Sequence, residues 1–311
     1  WLSSQGADTE PLSAVRGDLL EPDAGISAAD WQALGDVSVV YHSGALFAWN
    51  LTRASASAVN VDGTLRLLQA AATHLRLSRF VQVSGYMLTM HEHLRRLGIT
   101  GDGSDADWAA IYARTGAYEA SKLEAHFAVR RMARTLDVPL TVIHPATLLG
   151  HADSGELPET QEMARSIRQL LAGQIPAAPG GFGYRLPLVS VDYLSRFMAA
   201  VIDHPESAGR EYLLADAATP DLKTVLTHCA RAAGVSPPRL VMPVPLLRLL
   251  VRWPWLARRA GVSPEQVHFL RREPLDTTAT EQLAERMGIH QPALASVLAR
   301  TTTWLLAQPA V

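Results

Sequence analysis

Short runs of β-branched and apolar residues alternate with longer stretches of helical spacing through the first half of the chain. Val37–Tyr41, Arg79–Val83 and Val138–Ile143 read as buried strands. Between them, Thr52–Leu75 sets Val59, Leu65, Leu68 and Ala72 on related faces of a helix. A second helical run extends from Asp105 through Tyr118 to about Leu136. Ahead of the first strand, Ala14–Gly17 is a short apolar approach to Asp18, Pro22–Ile26 is a turn, and Ser27 caps a short helix over Ala28–Leu34. Strands separated by helices imply parallel βαβ units, and buried strands joined this way predict an α/β fold with a doubly wound parallel sheet. Ligands of such sheets sit beyond the carboxyl ends of the strands. That singles out Asp18, His42–Ala45, Ser84–Tyr86 and His144–Thr147.

After Gly150 the pattern changes. Gln161–Gly173 predicts a helix and Pro176–Gly183 a turn-rich loop. Leu188–Ser190 is short and apolar, Asp192 caps a helix to Ile202, Arg210–Leu214 reads as a strand, and the chain is mostly helical from Leu222. The expected division is a sheet domain over 1–150 and a smaller, mostly helical lobe over 151–311, with parts of 186–215 returning to the sheet.

Composition narrows the function. The chain has 311 residues, 48% of them hydrophobic, and a formal charge of −2, with no basic stripe to receive a nucleic acid. The lone Cys229 excludes a disulfide framework and is expected to be a small buried hydrophobe; a reducing, cytoplasmic location is the expectation. No apolar run reaches the roughly 20 residues of a membrane span, and no secretory signal opens the chain. The chain begins at Trp1 rather than Met and reads as cut from something longer. Of 28 basic residues only Lys122 and Lys223 are Lys. A Lys kept against such a bias for Arg points to a role Arg cannot fill.

The strongest chemical signal is Tyr118-Glu-Ala-Ser-Lys122. Positions i and i+4 share a helix face, and an ammonium beside a phenol is expected to lower its pKa. Such a Tyr can exchange a proton with a carbonyl or alcohol oxygen. Seven Tyr, each with two chances in 311 of a Lys four residues on, give roughly 0.05 chance pairs. The plain alternative is an exposed helix pair.

These residues stand in a longer series: Gly17-Asp18-Leu19, Asn60-Val61-Asp62-Gly63-Thr64, Tyr118-x-x-x-Lys122, Pro145-Ala146 and Leu186–Asp192. In this order the series resembles the extended short-chain dehydrogenase/reductase family over nearly the whole chain. The stretches Gly25-Ile26-Ser27 with Trp31, and Tyr41–Trp49, are similar to thioester reductase domains. The resemblance implies an NAD(P)-binding Rossmann fold and hydride chemistry on a carbonyl or acyl thioester, or oxidation of the matching alcohol. The cofactor implied is NADP or NAD, with NADPH favoured, and the substrate a small, apolar molecule. Tyr118, Lys122 and Ser84 take the catalytic places. Asp18, Leu19, Ser43, Gly44, Ala45, Asn60, Val83, Pro145, Ala146 and Thr147 join Tyr118 and Lys122 around the cofactor. Dimerisation through the Asn60 and Tyr118 helices is a further implication.

Three features depart from the family pattern. No strand–Gly-x-x-Gly-x-x-Gly–helix is present, and that loop, with the residues choosing NAD or NADP, is expected before Trp1. Gly180-Gly181-Phe182-Gly183 lies far downstream and is read as following no strand. Ser84-Gly85 replaces a Ser-Ser or Ser-Thr pair, leaving Ser84 or no residue as the hydroxyl. His144 replaces an Arg before Pro145.

Other residues carry plainer readings. His42 reads as a core-edge histidine with one backbone hydrogen bond. His91 and His93 have strand-like spacing without a third ligand, so no metal is expected there. Asn60 is expected to bond backbone within its own helix. Met242–Ala260 is apolar, basic and Trp-rich; it reads as a packed helix with snorkelling Arg, against a pocket wall, a membrane surface or a carrier-protein contact. Two rival functions remain: a sugar-nucleotide epimerase or dehydratase of the same fold, and a non-catalytic dinucleotide sensor.

Overall fold

The computed structural model describes every residue except 1, 4, 5, 49, 50, 176, 182, 252, 254–266, 268, 310 and 311. Trp49, Phe182 and much of the Met242–Ala260 segment therefore lie outside the described residues. Strands are β1 Val39–His42, β2 Arg79–Val83, β3 Leu140–Pro145, β4 Thr147–Leu149, β5 Ala177–Gly180, β6 Leu188–Ser190, β7 Glu211–Leu214 and β8 Leu240–Pro243. Helices are α1 Ala28–Ala33, α2 Arg53–Ser57, α3 Thr64–His74, α4 His91–Arg96, α5 Trp108–Thr115, α6 Ala117–Thr135, α7 Glu162–Leu171, α8 Val191–Ala200, α9 Leu222–Ala233, α10 Val244–Leu250, α11 Thr278–Arg286 and α12 Leu294–Ala307.

β1, β2, β3 and β7 form one parallel sheet in that order. Its strands are apolar on both sides because helices cover both. Phe80 and Val142 pack with Leu68 of α3 and Val129 of α6. Val81, Ile143 and Leu214 pack with Phe197 of α8 and Leu283 of α11. A second core joins Leu149, Ile167 of α7, Leu226 and Cys229 of α9 and Leu298 of α12. Two parallel strand pairs, β4–β6 and β5–β8, stand beside the main sheet.

Several local expectations are corrected. Ala14–Gly17 forms no strand. The Thr52–Leu75 run is α2 and α3 joined by a π-helical turn over Ala58–Gly63. The Asp105–Leu136 run is broken at Gly116, whose φ of 87° lies in the left-handed region that glycine alone adopts freely. Pro179-Gly180 ends a strand rather than sitting in a loop, because β5 pairs with β8. Gly180 therefore does follow a strand, although no helix starts after it among the described residues. α8 begins one residue before Asp192; its carboxylate instead accepts the Ala152 amide at 2.9 Å and pairs with Arg196 at 2.6 Å. His91 and His93 lie on a helix, not a strand. Over the described part of 242–260, α10 buries Val244, Leu247 and Val251 while Leu246, Leu249 and Trp253 stay exposed. Arg248 lies over the Tyr184 ring at 5.6 Å with its Nε buried and without a hydrogen-bond partner among the described residues, so its head is not held out in water as expected.

Candidate active site

The site forms where the carboxyl ends of β1, β2 and β3 meet the first turns of α6. Gly116 ends α5 and lets α6 start on a new axis. Lys122 donates from Nζ to the Val83 carbonyl at 3.1 Å. That bond ties α6 to the end of β2 and to Ser84. Ser84 is buried, and its Oγ has no hydrogen-bond partner among the described residues. A buried hydroxyl left unbonded is costly, and a bound carbonyl oxygen would satisfy it. A Cβ on Gly85 would come within 2.5 Å of Met87 Sδ, so a second hydroxyl there needs Met87 to move. Ser84 is the residue at this strand end that offers one.

The Tyr118 ring contacts two aromatics. Phe47 meets it edge-on at 4.6 Å and Phe269 lies nearly parallel at 6.5 Å. Burial pushes the Tyr118 phenol up to about 12 and the Lys122 ammonium down to about 8. The expected lowering of the phenol is thus replaced by a rise, because burial disfavours the charged form. At neutral pH Tyr118 is therefore a phenol and Lys122 an ammonium.

Asn60 fixes the loop after β1. Its Oδ1 accepts the Leu46 amide at 2.7 Å, and its Nδ2 donates to the Leu46 carbonyl at 3.1 Å and to Ser121 Oγ at 2.9 Å. The expected bond within its own helix is therefore replaced by a bridge from the π-helical turn to two other segments. Such a turn rotates a side chain out of the regular helical ladder. Ser43, Gly44 and Ala45 lie exposed on the loop that Asn60 holds. His42 is buried and bonds Thr64 Oγ1 at 2.9 Å, a side-chain partner rather than the backbone one expected. Thr64 donates to Asn60 O at 2.7 Å, so its oxygen accepts the His42 Nε2–H. Burial, with Lys122 adding to it, lowers the His42 pKa to about 4.

The Asp18–Leu19 turn packs on the same helix. A Cβ on Gly63 would sit 2.8 Å from Leu19 Cβ, and Arg66 donates to the Leu19 carbonyl at 2.7 Å. Asp18 is exposed, and one carboxylate oxygen accepts the Leu20 amide at 2.9 Å. Pro145, Ala146 and Thr147 follow β3 as it passes from the main sheet to β4, Ala146 donating to Leu214 O at 2.9 Å and Thr147 to Pro187 O at 3.0 Å.

The male sterility protein family of NAD-binding domains matches residues 3–198. The chain belongs to this family. Its members' NAD(P)-binding fold, of the extended short-chain dehydrogenase/reductase type, is the one described above. Two curated relatives of this family member are an NRPS-like oxidoreductase of Fusarium equiseti and the L-2-aminoadipate reductase large subunit of Penicillium chrysogenum. The first is 31% identical over 161 residues and the second 28% over 210, covering 50% and 65% of the chain. The match spans only 14% of either relative's length. Among solved structures, the terminal R domain of the myxalamid PKS-NRPS pathway superposes with a TM-score of 0.71 at 21% identity. It covers 94% of this chain and 74% of that one.

The residues present suit the ribose and nicotinamide half of such a cofactor. Lys122 and the Asn60-held loop face the strand ends, and Ser84 Oγ waits unbonded beside them. No glycine-rich strand-to-helix turn for the pyrophosphate occurs among the described residues, so no step below depends on one.

Sequence reasoning missed three contributors. Ser121 sits inside the Tyr118–Lys122 motif, and its place one helical turn after Tyr118 was a usable signal. Phe269, and the Glu119–His93–Arg271 group beside it, carry none, because their partners are far apart in sequence. His93 bonds Glu119, and Arg271 reaches that carboxylate at 3.2 Å.

Proposed function

We propose that this chain is an NAD(P)H-dependent reductase of an acyl thioester or carbonyl compound, with NADPH favoured, and that Tyr118, Lys122 and Ser84 carry the proton chemistry. The observation that carries the reading is the joining of α6 to the end of β2. Lys122 bonds Val83 O, next to a buried Ser84 hydroxyl that lacks a partner, and Tyr118 lies one turn earlier on the same helix. The relatives, an NRPS-like oxidoreductase, an aminoadipate reductase and a terminal R domain, support a thioester on a carrier as the substrate class.

When bound, the reduced nicotinamide supplies the hydride that goes to the carbonyl carbon. Ser84 Oγ–H donates to the carbonyl oxygen and polarises it. Tyr118 gives its phenolic proton to that oxygen as negative charge develops, and Lys122 stabilises the phenolate left behind. Loss of the thiol from the resulting hemithioacetal gives an aldehyde. The balance is one thioester, one reduced cofactor and one proton giving one aldehyde, one thiol and one oxidised cofactor. Phe47 and Phe269 against the Tyr118 ring favour an apolar acyl group.

The test is absorbance loss of NADPH and NADH with medium-chain acyl thioesters and aldehydes, using the full-length protein. Substrate-dependent oxidation is expected, and Tyr118→Phe should lower kcat by about 10²–10⁴-fold with the melting temperature preserved. Full activity in Tyr118→Phe overturns the assignment. Epimerisation of a sugar nucleotide without net cofactor oxidation would transfer the reading to the epimerase class.

A further inference from the structure

A second group of polar side chains lies under the site, between α6, β3 and β7, and the reduction described above makes no use of it. His126 comes from α6, His144 from β3 and Glu211 from the first position of β7. The two histidines are 2% and 0% exposed, while the Glu211 side chain keeps 31% of its surface open. One ligand atom from each of the three lies within 4.8 Å of the others. His144 Nε2 is 2.9 Å and His126 Nε2 3.7 Å from the same carboxylate oxygen, Oε2. Ligand atoms around a tetrahedral zinc ion, with bonds of about 2.0–2.1 Å, stand roughly 3.3 Å apart. The two histidine–carboxylate separations, 2.9 and 3.7 Å, lie either side of that spacing.

The hydrogen bonding requires a positive particle among these atoms. His144 Nδ1 is 3.1 Å from the Gly85 carbonyl, which can only accept, so Nδ1 carries the proton. In the neutral ring, Nε2 then presents a lone pair to a carboxylate oxygen, and two acceptors face each other. A proton between them resolves that contact but leaves His126 without a bond. Its Nε2 is outside hydrogen-bond range of Glu211, and its Nδ1 has no partner among the described residues. Two buried imidazoles with centroids 5.4 Å apart, one of them unbonded, need an explanation beyond an ion pair. A divalent cation gives both rings and the carboxylate a partner at once.

Two imidazole nitrogens and one carboxylate oxygen are a zinc-type donor set. The His144 Nδ1–H bond to a backbone carbonyl is the outer contact that orients metal-bound histidines. Arg130, 2.8 Å from Oε1, occupies the other carboxylate oxygen and leaves Oε2 to the histidines.

We propose that His126, His144 and Glu211 form a divalent metal site suited to zinc, reached from the exposed side of Glu211, with a water completing the coordination. Through Gly85 O the ion would anchor the turn that follows Ser84, tying α6, β3 and β7 together beneath the site.

The test uses untagged wild-type protein, stripped with a chelator and titrated with ZnCl₂ by calorimetry, with metal content after dialysis read by mass spectrometry. Expected are one zinc per chain and a rise in melting temperature of about 5 °C at a hundredfold excess over Kd. His126→Gln and Glu211→Gln should each weaken binding about 100-fold or more. His93→Gln, at the other buried histidine–carboxylate pair, should bind as wild type. Cobalt in place of zinc should give the visible absorption of a tetrahedral ion. Wild-type protein that takes up no zinc at tenfold excess overturns the proposal and leaves a proton between His144 and Glu211. Undiminished uptake by both variants overturns it equally, by placing the ion elsewhere. If a variant fails to fold, the wild-type titration alone decides.

Discussion

At the scale of single residues, Tyr118 and Lys122 show how burial moves an acid and a base in opposite directions. The phenol is pushed up to about 12 and the ammonium down to about 8, each by burial. The phenol therefore stays protonated through the physiological range, and the titrating partner is Lys122. Its charge, which the proposed mechanism uses to stabilise a Tyr118 phenolate, is present below about pH 8 and lost above it. The kcat/KM of reduction should fall as pH rises through about 8. In Lys122→Arg the falling limb should move up by at least one pH unit, because Arg keeps its proton, although the rate below it should drop. An unmoved limb in a pH–rate profile would assign the titration to another group. The Tyr118–Lys122 pair was legible in the sequence because four residues span one helical turn. The direction of the Tyr118 shift was not, because it depends on Phe47 and Phe269 packing against the ring from distant segments. The same limit applies to Asn60. Its motif marked it, but its bonds to Leu46 and Ser121 exist only once three segments meet.

At the scale of elements, the π-helical turn between α2 and α3 organises the approach to the site. Gly63 closes that turn against the Asp18–Leu19 loop, where a Cβ would meet Leu19 Cβ at 2.8 Å and Leu19 O at 3.0 Å. Gly63→Ala should destabilise the fold by about 1–3 kcal/mol, measured by urea unfolding; an unchanged midpoint would mean that the loop is free to retreat. One residue on, Thr64 bonds His42, which burial and the nearby Lys122 charge keep neutral. With a folded pKa of about 4 against an ordinary 6.5, His42 stays unprotonated in the fold while the unfolded chain takes up a proton. Its contribution is complete above about pH 6.5 and is lost as pH falls towards 4, on the order of 3 kcal/mol in all. His42→Gln should flatten that part of the acid limb in unfolding measured from pH 7.5 to 4.5. The strands of the main sheet were legible to within a residue or two, since buried parallel strands are short unbroken apolar runs. The breaks were less so. Helical spacing continues across the π turn and across Gly116, and only the positive φ at Gly116 shows where one axis ends. β8 was missed because Leu240–Pro243 is half exposed and pairs with a strand, β5, that reads as a loop.

At the scale of the whole molecule, the segment carrying Phe269 and Arg271 closes over α6 and couples the later half of the chain to the site. Phe269 lies along the Tyr118 ring, and its carbonyl accepts the Tyr86 hydroxyl at 2.7 Å. Arg271 exchanges two backbone bonds with Arg185, at 2.8 and 3.0 Å, and sends its guanidinium to Glu119 at 3.2 Å. Glu119 is 2% exposed and also bonds His93. A carboxylate so deeply buried is tolerated only with its cation in place. Removing the cation alone strands the charge, whereas removing both charges need not cost much. Arg271→Met should therefore lower stability by about 3–5 kcal/mol and release Phe269 from Tyr118. Glu119→Gln added to Arg271→Met should recover most of that loss. The thermodynamic cycle of the two single variants and the double variant, read by denaturant unfolding, measures the coupling directly. If the losses simply add, the segment is held by its backbone pairing with Arg185 and by Tyr86. If the double variant is restored in stability yet raises KM for an apolar acyl substrate, the ion pair matters for placing Phe269 against Tyr118 as well as for holding the fold.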